Sequence, residues 1–175
     1  ARGWSVRRES SPCRWRLRGV LRASFATDGD KGEIVVTLET EGSADIHYTL
    51  DGSEPTATSP KYEAPLRIKQ NTEVKAVAVR PTGNSRIFSE KIDFNKATAK
   101  PVTLKVAPSR GYDFNGGPEL TDGLSGNDNY KTGRWLGFQG KDLDAVIDLK
   151  EPTEFSKVSF NTNVVKGDWI MGAAG

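Results

Sequence analysis

The chain has 175 residues, enough for one or two small domains with a buried core. It is 35% hydrophobic and 27% charged, with 18 Gly and 9 Pro, a balance that suits a loop-rich globular protein and excludes general disorder. No apolar run reaches the length of a membrane span, Cys13 has no second cysteine to pair with, and His47 is the only histidine, which excludes a multi-histidine zinc centre.

The formal charge of +2 is unevenly spread. Residues 1–22 hold seven of the 25 basic residues and one of the 23 acidic ones, leaving the remainder of the chain mildly acidic. That remainder carries no nucleic-acid footprint. The run Arg14-Trp15-Arg16-Leu17-Arg18 has the groups that bind phosphate or sit at membrane interfaces, but such charge runs are most often solvated. Residues 1–22 are therefore expected to be a basic tail, disordered or artefactual, the latter as an out-of-frame or vector-derived stretch. The chain starts at Ala1 and its single methionine is Met171, so a native start upstream is expected. No charged-then-apolar signal peptide opens it.

Regular patterning begins at Ala23. Short β-rich runs follow at Glu33–Leu38, Asp45–Leu50, Leu66–Ile68, Thr72–Arg80 and Ile87–Phe94, separated by Gly, Pro, Asn and Ser turns. Asp51-Gly52, directly after an alternating strand, predicts a tight hairpin because Gly adopts positive φ freely and Asp tolerates it. No segment has a helical period of useful length. Short, closely spaced strands mean an all-β sandwich over 23–95, with Ile34, Val36, Leu38, Ile46, Tyr48, Leu50, Val77 and Val79 as its expected core. Phe88, Ile92 and Phe94 share one face of the last strand.

Residues 96–100 are polar and patternless, and predict a linker. A second unit is expected over 101–175. It contains Pro101-Val102-Thr103-Leu104, the Leu120-Thr121-Asp122-Gly123-Leu124 turn, Gly133-Arg134-Trp135-Leu136-Gly137-Phe138 and Ala145-Val146-Ile147-Asp148-Leu149. Val158, Phe160, Thr162 and Val164 alternate as a further strand.

The string Tyr48 to Ile68 (YTLDGSEPTATSPKYEAPLRI) resembles the Ig-like domain that follows the catalytic barrel in bacterial family 20 β-N-acetylhexosaminidases and chitobiases. The second unit resembles a discoidin-like domain of the coagulation-factor type C, or family 32 carbohydrate-binding, kind. In tandem the two are similar to the C-terminal region of hexosaminidases from gut Bacteroidetes. The resemblance implies an Ig-like β-sandwich followed by an incomplete discoidin-like β-sandwich or jelly roll. A complete discoidin-like domain needs more residues than follow Pro101, so a truncated second unit with unpaired, aggregation-prone edges is expected.

Chemistry is sparse. Family 20 enzymes carry an adjacent Asp-Glu pair on their barrel, and no Asp-Glu dipeptide occurs here. Nor is there room or pattern for a (β/α)₈ barrel. His47 alternates with Ile46 and Tyr48 and is expected on the outer face without convergent partners. Cys13 has a neighbouring cation, Arg14, but no base or resolving cysteine. The discoidin-like resemblance implies a structural calcium at the 121–123 turn, with the Asp122 carboxylate and the Glu119 and Leu124 carbonyls as ligands; the alternative is an ordinary Asp-Gly turn. Sugar binding uses an exposed ring beneath a pyranose. Of Trp135, Phe138, Trp169 and Tyr130, the first two match core positions of the family, and Tyr130 in the polar loop 127–131 is the binding candidate.

The expected function is that of a non-catalytic accessory fragment of a secreted β-N-acetylhexosaminidase, acting as spacer and glycan-binding module. The alternative is a carbohydrate-binding or adhesion module from another multidomain surface protein, since both folds are widely reused. Its partners would be glycans or the parent catalytic domain, with no nucleic acid and no membrane span. A monomer in the periplasm, at the cell surface or outside the cell is expected by resemblance.

Overall fold

The computed structural model describes residues 20–132 and 134–168. Among them there is no α-helix; β-strands carry the architecture, with three short 3₁₀ turns at Gly117–Leu120, Tyr130–Thr132 and Lys166–Asp168. The protein is an all-β sandwich in its first half.

Two three-stranded antiparallel sheets face one another. In the first, β2 (Glu33–Thr40) lies between β1 (Leu21–Asp28) and β4 (Leu66–Ile68). In the second, β5 (Thr72–Val79) lies between β3 (Asp45–Thr49) and β6 (Phe88–Ile92). The order matches the A-B-E and C-F-G sheets of an immunoglobulin-type sandwich with one edge strand missing. Strand β1 starts at Leu21, so Leu21 and Arg22 belong to the sandwich and not to the expected tail. Cys13 and the rest of the basic run lie outside the described residues.

The core is built by period-2 alternation. Ile34, Val36 and Leu38 from β2 and Leu66 and Ile68 from β4 meet Ile46, Val74, Ala76, Ala78 and Ile92 from the other sheet. Tyr48, Phe25, Phe88 and Phe94 pack around them, partly buried. Two expected core positions are corrected. Leu50 lies beyond the end of β3 and is 42% exposed. Val79 is only half-buried at the end of β5, whereas Val77 is buried as expected, though on the face of β5 opposite the main cluster. Register pairs Ile46 with Ala78 and Tyr48 with Ala76, and directly opposed residues share a face. Val77 therefore stands opposite His47 on the outer face, where it is nevertheless buried.

The Asp51-Gly52 hairpin is also corrected. The chain does fold back on β3, through the His47–Lys61 bridge and the Tyr48 N–H to Pro60 carbonyl bond at 3.0 Å. The turn is a long loop, however, and Asp51-Gly52 only starts it. Asp51 Oδ1 accepts from the Ser53 amide at 3.0 Å and the Ser53 hydroxyl at 2.6 Å, with Gly52 at φ 80°. A side chain that bonds two residues ahead makes an Asx turn, which competes with the two-residue hairpin. Asp51 and Glu54 are exposed turn residues.

Residues 96–100 are not a free linker. Thr98 is 4% exposed and Ala99 is fully buried within the sandwich core. The Ala99 amide donates to the Thr121 carbonyl at 2.7 Å, and the Thr121 hydroxyl donates to the Lys100 carbonyl at 3.0 Å. Beyond it, β7 (Val102–Leu104) pairs antiparallel with β8 (Ala145–Ile147), three residues each. The expected strand through Val158, Phe160, Thr162 and Val164 is not formed. Val158, Phe160 and Val164 are 75%, 67% and 52% exposed, because no described strand lies alongside to complete a ladder.

Candidate functional site

Two places gather polar chemistry, and both lie in the second half of the chain. The first is where the Thr121–Leu124 turn meets β6. Gly123 has φ 73°, and a Cβ there would sit 2.9 Å from the Asp93 carbonyl, so only glycine permits this approach. The Asp93 amide donates to the Gly123 carbonyl at 2.8 Å, and Leu124 bridges to Ile92 and packs on the core.

This contact brings three carboxylates, Glu90, Glu119 and Asp122, around the Arg134 guanidinium. Arg134 Nη2 donates to Glu90 Oε2 at 2.5 Å. Burial pushes the Asp122 carboxyl up to about 7, and the charges of Glu119 and Glu90 add to that; the Leu124 amide, at 2.9 Å from Oδ1, and Arg134 oppose it. Burial likewise raises Glu119, although its Oε1 accepts from Asn115 Nδ2 at 2.7 Å. The Glu90 side chain holds Arg134 charged.

Of the residues expected to hold calcium, Glu119, Asp122 and Leu124 thus fall within one short stretch of half-buried backbone. A hard cation here would have to displace the proton that burial favours on Asp122 and Glu119. Among the described residues, no three or more His, Cys, Asp or Glu side chains gather as a metal site. The Asp122 carboxylate, expected as a donor, is engaged by the Leu124 amide, and the Glu119 carboxylate by Asn115. The sequence pattern gave no sign of Glu90 or Arg134, because their meeting depends on long-range packing.

The second place is the loop from Asn127 to Lys131. Two successive Asx turns shape it: the Asn129 amide donates to Asn127 Oδ1 and the Lys131 amide to Asn129 Oδ1, each at 3.0 Å. Trp135 Nε1 donates to the Asn127 carbonyl at 2.9 Å, and its ring lies so close over Gly126 that a Cβ there would come within 2.3 Å. Trp135 is a half-buried structural ring, and Phe138 is half-buried too. Tyr130 presents its hydroxyl to Asp168, donating to Oδ2 at 2.8 Å. Its ring centroid lies 6.2 Å from that of Tyr112, tilted by 32°, and Lys131 Nζ stands 5.3 Å from the Tyr130 centroid. Tyr112 escaped the sequence reading because nothing in Gly111-Tyr112-Asp113 announces a partner 18 residues away. Trp169 lies outside the described residues.

His47 lies on the outer face, half-buried, and donates from Nδ1 to the Ser59 carbonyl at 2.7 Å, which pins the long loop to β3. Two open surface clefts, of about 660 and 370 Å³, are lined by residues such as Lys96, Thr153, Glu154 and Glu151. Neither collects a histidine, a cysteine or a pair of facing carboxylates. No helix among the described residues is long and apolar enough to cross a membrane.

A search of curated proteins finds none that matches this chain. Residues 36–92, from the middle of β2 to the end of β6, match the family model described as Fn3 associated, so the sandwich is similar to fibronectin-III-associated, β-rich domains.

Proposed function

We propose that this chain is a non-catalytic accessory part of a secreted β-N-acetylhexosaminidase, serving as a spacer for the catalytic domain and as a contact to glycans. The reading rests on the hexosaminidase-like Tyr48–Ile68 string, and the Fn3-associated match over β2–β6 supports a β-rich accessory domain at that place. The packed 96–101 segment supports the spacer role, since buried Ala99 and the Thr121 bonds make a stiff joint between sandwich and second unit. The parent enzyme would act at the cell surface, in the periplasm or outside the cell, and this part would work as a monomer within it.

A calcium ion at Glu119, Asp122 and the Leu124 carbonyl belongs to the same proposal. Bound, it would supply positive charge that cross-links the turn; the chain's own residues fix the turn against β6 through Gly123 and Leu124.

The coding sequence upstream of Leu21 tests the reading. A barrel with an adjacent Asp-Glu pair is the expected result, and an unrelated enzyme or adhesin there would reject it. The isolated chain should release no N-acetylhexosamine from an aryl glycoside; turnover abolished by one acidic substitution would contradict the accessory role.

A further inference from the structure

The geometry points to a saccharide platform made by Tyr112, Tyr130, Lys131 and Asp168, which seats an uncharged pyranoside on the Tyr112 ring. This rests on the glycan-contacting part of the function proposed above, and it names the surface and the ligand class.

Three features converge on this surface. The first is rigidity. Tyr112 is held by its amide bond to the Ser109 carbonyl at 2.9 Å and by the Gly137 amide on its own carbonyl at 3.1 Å. A Cβ on Gly137 would stand 2.9 Å from the Tyr112 Cβ, so glycine lets the tyrosine lie against that segment. The two Asx turns fix Tyr130 and Lys131 in the same way. Binding would therefore cost little ordering of the loop.

The second is exposure. Tyr112 is 39% exposed and Phe114, two residues on, is 41% exposed with φ 29°. A bulky residue at positive φ is strained, and a ring left two-fifths exposed recovers only part of that cost by burial. Rings left in this state are the hydrophobic surface on which a pyranose stacks its C–H face.

The third is charge. Lys131 and Asp168 flank Tyr130, the first within cation–π range of its ring and the second accepting its hydroxyl. The two charges offset each other, so the site has no net preference for an anion or a cation. Lys131 keeps donors and Asp168 keeps an acceptor oxygen for ligand hydroxyls. A neutral polyhydroxylated ring uses all of these groups together. A sialylated or uronic ligand would lose to Asp168 what it gains from Lys131, so its charge brings no advantage over a neutral ring.

The experiment is an amide NMR titration of the full chain with neutral trisaccharides of N-acetylglucosamine, galactose and glucose, and with a uronic trisaccharide. At least one neutral sugar should shift resonances in 109–114 and 127–131 saturably, at millimolar concentration. Tyr112→Ala should weaken that binding about tenfold, the loss of one stacking ring, while Tyr112→Phe should keep it. Lys131→Met, exposed and away from the core, should weaken it about threefold as one hydrogen bond is lost. Saturable binding that maps to 21–92 and ignores Tyr112→Ala overturns this platform and leaves the glycan reading standing. Preference for the uronic sugar overturns the neutral ligand class. No binding by any of the four sugars overturns both.

Discussion

Arg134 Nη2 donates to Glu90 Oε2 at 2.5 Å, joining a residue of the second unit to the edge strand of the sandwich. Glu90 faces Val74 across the β5–β6 ladder and so lies on the core side, only 16% exposed at its side chain. A carboxylate in that position needs a cation. Arg134→Met should destabilise the protein by about 2 kcal/mol, the range for a charge-assisted bond whose partner stays buried. Glu90→Gln should cost less, because it also removes repulsion on Asp122. A double-mutant cycle by urea unfolding should give a coupling of about 1 kcal/mol or more; additive losses would mean that the pair does not join the two parts.

Stability should fall as pH rises from about 4 to about 7. The Asp122 carboxyl is raised from 3.8 to about 7 in the folded protein, so over that window the native state keeps a proton that the unfolded chain has released. The contribution is complete below the unfolded value and levels off above the folded one. Asp28, Asp45 and Asp51 are lowered by their hydrogen-bond partners and act with the opposite sign, only below about 4. Asp122→Asn keeps an oxygen for the Leu124 amide and should flatten the slope between pH 4 and 7. Thermal melts across pH check this, and an unchanged slope in the variant would assign it elsewhere.

Calcium should raise the melting temperature above pH 7, where Asp122 is ionised, and have little effect at pH 5. At ten times its Kd a cation that binds only the folded state contributes about 1.4 kcal/mol. Asp122→Asn should remove the effect. Scanning calorimetry with calcium, with magnesium as the control, measures it; equal stabilisation of wild type and variant would place the ion at another site.

Tyr62→Phe should cost about 1–2 kcal/mol while leaving the fold intact. The Leu38 amide donates to the Tyr62 hydroxyl at 3.1 Å, just past the last β2–β4 register pair, Val36 with Leu66. The Tyr62 amide donates in turn to the Ile46 carbonyl at 2.7 Å, so one residue ties both sheets together. Phenylalanine keeps the edge-on contact with Tyr48 but leaves the Leu38 amide without its acceptor. Hydrogen exchange should show faster exchange at Leu38 in particular, and a uniform change across the sandwich would point to a general packing defect.

Local chemistry made most of the sandwich readable from its residues. Alternation in Glu33–Leu38 and Asp45–Thr49 placed Ile34, Val36, Leu38 and Ile46 inward, because side chains on a strand alternate whatever the strand packs against. The facing of β5 was also present, in Glu73 and Lys75, whose polar side chains send Val77 and Val79 outward with them. Size misled there, since Ala76 and Ala78 look like weak core residues until register sets them against Tyr48 and Ile46. Asp51-Gly52 likewise announced a turn but not its length, because Ser53 captured the Asp51 carboxylate.

The candidate sites were legible only in part. Asp122-Gly123 and Tyr130 were visible as a turn and as a ring in a polar loop. Their partners were not: Glu90 is 44 residues from Arg134, and Asp168 is 38 from Tyr130. The sequence by itself determined the all-β class, the approximate positions of β2 to β6 and most of their inward faces. Tertiary structure decided that residues 96–100 are packed, that Arg134 closes the sandwich edge, and that Tyr112 stands beside Tyr130. Those outcomes depend on which distant surfaces meet, and burial and charge pairing act there over distances that no local pattern encodes.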